Sequence, residues 1–191
     1  MRLFVALDID ESIREKIVRS MEGVSEFAPD VRWAKPESLH VTLKFIGERP
    51  DVEQITQALL QIHAPSFEVK FRGYGFFPTP KSARVFWVGI ESGTPLSDLA
   101  NSVDEILTPL GIVKETHTFS PHLTLARKGS GRPTRGKEDR ANHAFQRLQE
   151  KLAAFPAPEF GTMTAREFFL YQSQLSPKGS RYTRIASFTL R

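Results

Sequence analysis

The chain has 191 residues, 40% apolar and 25% charged, ordinary for a globular protein with one substantial core or two small lobes sharing a cleft. Its formal charge of +4 and pI near 9.5 favour an anionic partner such as RNA without demanding one. The absence of cysteine excludes disulfides, zinc–thiolate centres and a cysteine nucleophile and fits a reducing, cytoplasmic setting, and no run of about 18 apolar residues is present to cross a membrane.

The opening Met1-Arg2-Leu3-Phe4-Val5-Ala6-Leu7-Asp8 is too short and too soon acidic for a signal peptide and reads as a strand over 2–8. Ile13, Ile17, Val18 and Met21 predict a helix over 11–22 with Asp10 as N-cap. Asp8, Asp10 and Glu11 are read as capping and helix-dipole residues rather than metal ligands. A short extended piece follows at 31–36. Its Trp33 has two readings, core packing and a cleft face on which a base stacks.

The next strand, 39–46, contains Leu39-His40-Val41-Thr42-Leu43-Lys44 and stops at Gly47. A helix is expected at 51–62, a strand at 66–73, a rigid loop at 76–80, a strand at 83–90 and a helix at 95–109 stopped by Gly111. The strand at 121–127 then repeats the earlier pattern as Pro121-His122-Leu123-Thr124-Leu125-Ala126. Residues 128–140, with five cations against two acids and a run of glycines, predict a basic loop. Closing over RNA phosphates and lying as a solvated surface are equally open for it. A helix over 139–153 and strands over 164–172 and 181–190 finish the chain, with turn chemistry at 176–180. This order of elements indicates an α+β fold of two similar lobes rather than a doubly wound parallel sheet, with 1–191 as a single bilobal domain.

The repeated His-apolar-Thr-apolar pattern carries the chemistry. Residues i and i+2 of a strand face the same side, so His40 with Thr42, and His122 with Thr124, form two imidazole–hydroxyl pairs. Histidine both takes and gives a proton near neutrality. Two imidazoles flanking one phosphorus can deprotonate the attacking oxygen and protonate the leaving one, while threonine hydroxyls bind non-bridging oxygens. The scheme needs no metal or other cofactor. A metal reading of Glu115, His117 and His122 matches no zinc spacing. Symmetry alone does not say which histidine is acid and which is base.

These two tetrads, with Arg2-Leu3-Phe4-Val5-Ala6-Leu7, Trp33 to Gly47, Phe77-Pro78, Arg84-Val85-Phe86-Trp87-Val88-Gly89, Arg127 and the closing Ser173, Gly179 and Tyr182, carry a likeness over most of the chain. The sequence resembles the two-histidine phosphoesterases, and within them the bacterial and archaeal RNA 2′,3′-cyclic phosphodiesterases, or LigT-type 2′-5′ RNA ligases. The resemblance implies two lobes with antiparallel sheets and outer helices, pseudo-two-fold symmetric about an active cleft. It implies metal-independent hydrolysis of RNA 2′,3′-cyclic phosphate ends, tRNA fragments included, to 2′-phosphate. Reversal of that chemistry gives 2′-5′ ligation. In that scheme His40 is the proton donor, His122 the proton acceptor, and Thr42 and Thr124 hold the phosphate.

Arg127 matches a family arginine, yet strict alternation from His122 puts it on the opposite face unless the strand bulges. Lys44, Trp33 and Tyr182 are further cleft candidates, Lys44 because it shares the His40 face by alternation. A monomer with no membrane contact is expected. Two other classes stay open: a phosphodiesterase for small cyclic nucleotides, and a non-catalytic module that binds RNA ends.

Overall fold

The computed structural model describes residues 1–129 and 143–191. The strands are β1 (Arg2–Leu7), β2 (Val31–Trp33), β3 (Val41–Glu48), β4 (Phe67–Phe77), β5 (Val85–Glu91), β6 (His122–Lys128), β7 (Glu159–Ala165), β8 (Glu167–Gln174) and β9 (Arg181–Thr189). The helices are α1 (Glu11–Val24), α2 (Val52–Leu59), α3 (Thr94–Leu107) and α4 (Gln146–Leu152). The strands form two sheets in which every adjacent pair is antiparallel. The first has the order β3-β1-β8-β9 and the second β2-β6-β5-β4-β7. This is the expected α+β class with two lobes.

Each lobe borrows a helix from the other. α1 follows β1 of the first sheet but packs on β7 of the second, burying Ile13, Ile17 and Met21. Ser20 on α1 also hydrogen-bonds the Tyr74 hydroxyl on β4. α3 follows β5 of the second sheet but packs on β3 of the first, burying Leu96, Leu99, Val103 and Leu107. Both helices present apolar residues at three- and four-residue spacing, so each needs a sheet face to cover. The buried side chains of both lobes join in one continuous cluster.

Several boundaries differ from the sequence expectation. The strand expected at 164–172 is two strands, β7 and β8, in different sheets, and the chain crosses between them at Arg166. Apolar residues run through both segments, so hydrophobicity alone does not show the break. β4 runs on through Phe76 and Phe77, where a loop was expected, because both pair with β5. Asp10 occupies the N-cap position of α1, but its carboxylate makes no capping hydrogen bond. Apart from Lys128 and Gly129, the basic loop expected at 128–140 lies outside the described residues. So does the start of the helix expected at 139–153, of which 146–152 is seen as α4.

Candidate active site

His40 immediately precedes β3 and His122 opens β6, and these two strands, from different sheets, touch each other. The rings are held the same way. His40 Nδ1 lies 2.7 Å from the Ser38 carbonyl oxygen, and His122 Nδ1 lies 2.8 Å from that of Ser120. A carbonyl only accepts, so Nδ1 carries the proton in both rings. Nε2 is left as the atom that gains or loses a proton. His40 Nε2 sits 2.9 Å from Thr42 Oγ1, as the i, i+2 relation requires. No partner is found for His122 Nε2 among the described residues.

Arg127 reaches the same face through a bulge. Trp87 pairs with Thr124 and Phe86 with Ala126, so Leu125 has no partner on β5. Leu125 and Ala126 are both buried in succession, and the alternation resumes one step out of phase. The guanidinium of Arg127 then comes within 3.5 Å of Thr124 Oγ1.

β3 bulges at the matching place. Ala6 pairs with Thr42 and Val5 with Lys44, leaving Leu43 unpartnered. That overturns the cleft expectation for Lys44. It is 3% exposed, and its ammonium donates to Asp104 Oδ1 at 2.6 Å and to the Val113 carbonyl at 2.6 Å, on the side away from His40. The residue that the bulge returns to the His40 face is Phe45, 61% exposed, in the position that Arg127 holds on β6.

Trp33 is also not a cleft residue. Its indole donates to the Ala28 carbonyl at 3.0 Å and its ring meets Phe86 edge-on in the core. Tyr182 does stand at the site, its ring 5.3 Å from that of His40 and perpendicular to it. Glu115 turns towards Lys44, 3.5 Å away, rather than towards His122. Among the described residues no group of three or more His, Asp or Glu is placed to hold a metal ion.

Several site residues escaped the sequence reading. Phe4 lies 4.9 Å from the His40 ring and joins Tyr171 and Tyr182 in an aromatic wall. With Asp8, Arg14 and Arg184 these residues line a pocket of about 260 Å³ beside His40. Asp8 bridges Arg14 at 2.7 Å and Arg184 at 2.9 Å, so it belongs to an ion-pair cluster rather than to a helix cap. Arg14 also donates to the Pro36 carbonyl at 2.6 Å, steadying the approach to His40. On the other side, Phe77 meets the His122 ring edge-on at 5.0 Å. Phe4 sits in a strand apolar on both faces, which hides its role. Arg184 was findable, since it stands two residues from Tyr182 on one strand.

Both imidazoles have pKa values below the ordinary 6.5. For His40 burial is the main cause, offset by the Ser38 hydrogen bond; the nearby charges of Arg127 and His122 add to the lowering and Asp8 opposes it. For His122 burial again leads, offset by the Ser120 hydrogen bond, with Arg127 adding to the lowering. Arg127 is thus felt by both rings, and a carboxylate only by His40.

Known proteins are similar to this chain in sequence and in fold. The family model for LigT-like phosphoesterases matches twice, over residues 7–87 and 88–182, one His-Thr pair in each match. A relative from Archaeoglobus fulgidus named RNA 2′,3′-cyclic phosphodiesterase is 38% identical over 98% of this chain and 99% of its own. One of the same name from Methanothermobacter thermautotrophicus is 32% identical over 100% and 99%. Among solved structures, Escherichia coli LigT complexed with 3′-AMP aligns with a TM-score of 0.76 at 26% identity, covering 99% of this chain and 97% of that one. A protein of Thermus thermophilus aligns at 0.75 and 30%, covering 100% and 98%. With a family model matching in each half and relatives aligned end to end, the chain belongs to the LigT-like phosphoesterase family.

Proposed function

We propose that the protein is a metal-independent RNA 2′,3′-cyclic phosphodiesterase that leaves a 2′-phosphate. The observation that carries this is the pair of imidazoles, each with Nδ1 tied to a carbonyl two residues back, which leaves Nε2 as the proton-transfer atom, beside Thr42 Oγ1 in His40 and without a partner among the described residues in His122. The names of its full-length relatives supply the substrate class.

In this reading His122 Nε2 takes a proton from water and the resulting hydroxide attacks phosphorus. The bond from phosphorus to the 3′ oxygen breaks, and His40 Nε2 delivers a proton to that oxygen. Thr42, Thr124 and Arg127 hold the non-bridging oxygens, whose charge grows as the fifth bond forms. The assignment of roles follows the family resemblance, and the two rings differ in their surroundings. Asp8 is a carboxylate near His40 that opposes the lowering there, although burial still leads and holds His40, like His122, below the ordinary value. No carboxylate among the described residues acts on His122, and its ring is the more open of the two to water, which suits a base that takes a proton from water. With a 5′-hydroxyl in place of water as the attacking group, the same two proton transfers open the cyclic phosphate to a 2′-5′ phosphodiester and free the 3′-hydroxyl, which is 2′-5′ ligation.

The test is an RNA oligomer ending in a 2′,3′-cyclic phosphate, incubated with the protein in EDTA. The expected product is the 2′-phosphate. A 3′-phosphate overturns the placement of substrate between the histidines. Turnover of cyclic mononucleotides but not of oligomers moves the assignment to small nucleotides, and no turnover on either leaves an RNA-end-binding module.

A further inference from the structure

Behind β3 lies a buried polar cluster that the reaction does not use. The Lys44 ammonium has three donors and meets three acceptors: Asp104 Oδ1 at 2.6 Å, the Val113 carbonyl at 2.6 Å and Glu115 Oε1 at 3.5 Å. The Asp104 carboxylate also accepts the Glu115 backbone N–H at 3.1 and 3.2 Å. Lys44 and Asp104 are 3% and 7% exposed, the two buried charged residues among those described.

What this cluster joins is specific. Lys44 lies on the His40 strand, two residues beyond Thr42. Val113 and Glu115 lie in the irregular segment that leads from α3 to Ser120 and His122. That segment has no strand or helix ladder of its own. Ser120, at its end, holds the His122 ring. At the matching bulge position of β6 stands Ala126, which has no side chain to make such a tie.

We infer that Lys44 and Asp104 are positioning residues that fix the separation of His40 from His122, by tying the strand of one to the lead-in of the other. This rests on the phosphodiesterase reading. Two proton transfers to one phosphorus need both Nε2 atoms in place at once, so a tie that sets their spacing acts on turnover rather than on binding.

The test uses Lys44→Met with Asp104→Asn, which removes both buried charges together and keeps an acceptor for the Glu115 N–H. Wild type and variant are compared on a 2′,3′-cyclic mononucleotide, with circular dichroism to verify folding. The expected result is a kcat lowered on the order of 10–100-fold with KM within about three-fold of wild type. The decisive readout is the same pair of changes made in a His40→Ala background, where there is no longer a spacing to keep. There the further loss is at most about two-fold, whereas a merely structural defect multiplies both backgrounds equally.

Should the double variant not fold, Glu115→Ala removes only the exposed acceptor, and a kcat about two- to three-fold lower with unchanged KM is expected. Full kcat in a folded variant, or equal losses in both backgrounds, overturns the tie and leaves the phosphodiesterase intact. A wild type with no turnover overturns the phosphodiesterase and the tie with it.

Discussion

The two histidines are alike in tautomer and unlike in surroundings, and that difference makes measurable statements. Each proton transfer contributes roughly 10²–10⁴ in rate, so His40→Ala and His122→Ala each lower kcat by that factor, read by product release from a cyclic mononucleotide. Binding of the nucleotide product is expected to survive in both, since the residues proposed to hold the phosphate, Arg127, Thr42 and Thr124, remain. Burial holds both pKa values below 6.5, so the species with one ring neutral and the other charged is most abundant on the acid side of neutrality. The pH profile of kcat/KM is therefore a bell with its maximum below about pH 6.5. Arg127 pushes both values down, so Arg127→Met moves both limbs to higher pH while lowering the maximum. A maximum above neutrality in wild type counts against the acid–base pair.

At the scale of the strand, the decisive events are two one-residue insertions. A strict two-residue period would place Arg127 in the core and Lys44 in the cleft, and the structure has each on the other side. The sequence shows what each tetrad is but not where each strand slips, because a bulge is set by the partner strand's register, which no local pattern encodes. The same limit hid the β7–β8 break at Arg166. By contrast the faces of His40, Thr42, His122 and Thr124 were legible, since nothing interrupts the alternation between them. On β4 and β5 the fit is tighter still. A methyl group at Gly75 would meet the Trp87 ring, which lies across it beside Phe77 and His122. Gly75→Ala is expected to cost about 1–3 kcal/mol in urea unfolding, with a shift in tryptophan emission, because the indole has to move. An unchanged midpoint would show that the ring yields freely.

Across the whole molecule, the α+β class and the two lobes were readable from element order, while the exchange of helices between lobes was not, since an amphipathic stripe says that a face is needed but not which one. The buried histidines also weigh on overall stability. An unfolded histidine binds its proton at about pH 6.5 and these bind theirs lower, so below that value the unfolded chain holds more protons. Stability is thus fully present above about pH 6.5 and falls as pH drops. Urea midpoints at pH 7.5 and 5.5 measure the drop, which shrinks when both histidines are replaced by asparagine. The strand order of the first sheet has its own outcome during synthesis. β1 stands between β3 and β8, and β8 begins only at Glu167, after every strand of the second sheet has been made. A chain still on the ribosome short of that point carries a central strand with one bare edge, open to pairing with a neighbouring nascent chain. The enzyme is therefore most exposed to misassembly in the interval before β8 emerges, when one sheet has all its strands and the other is still half built.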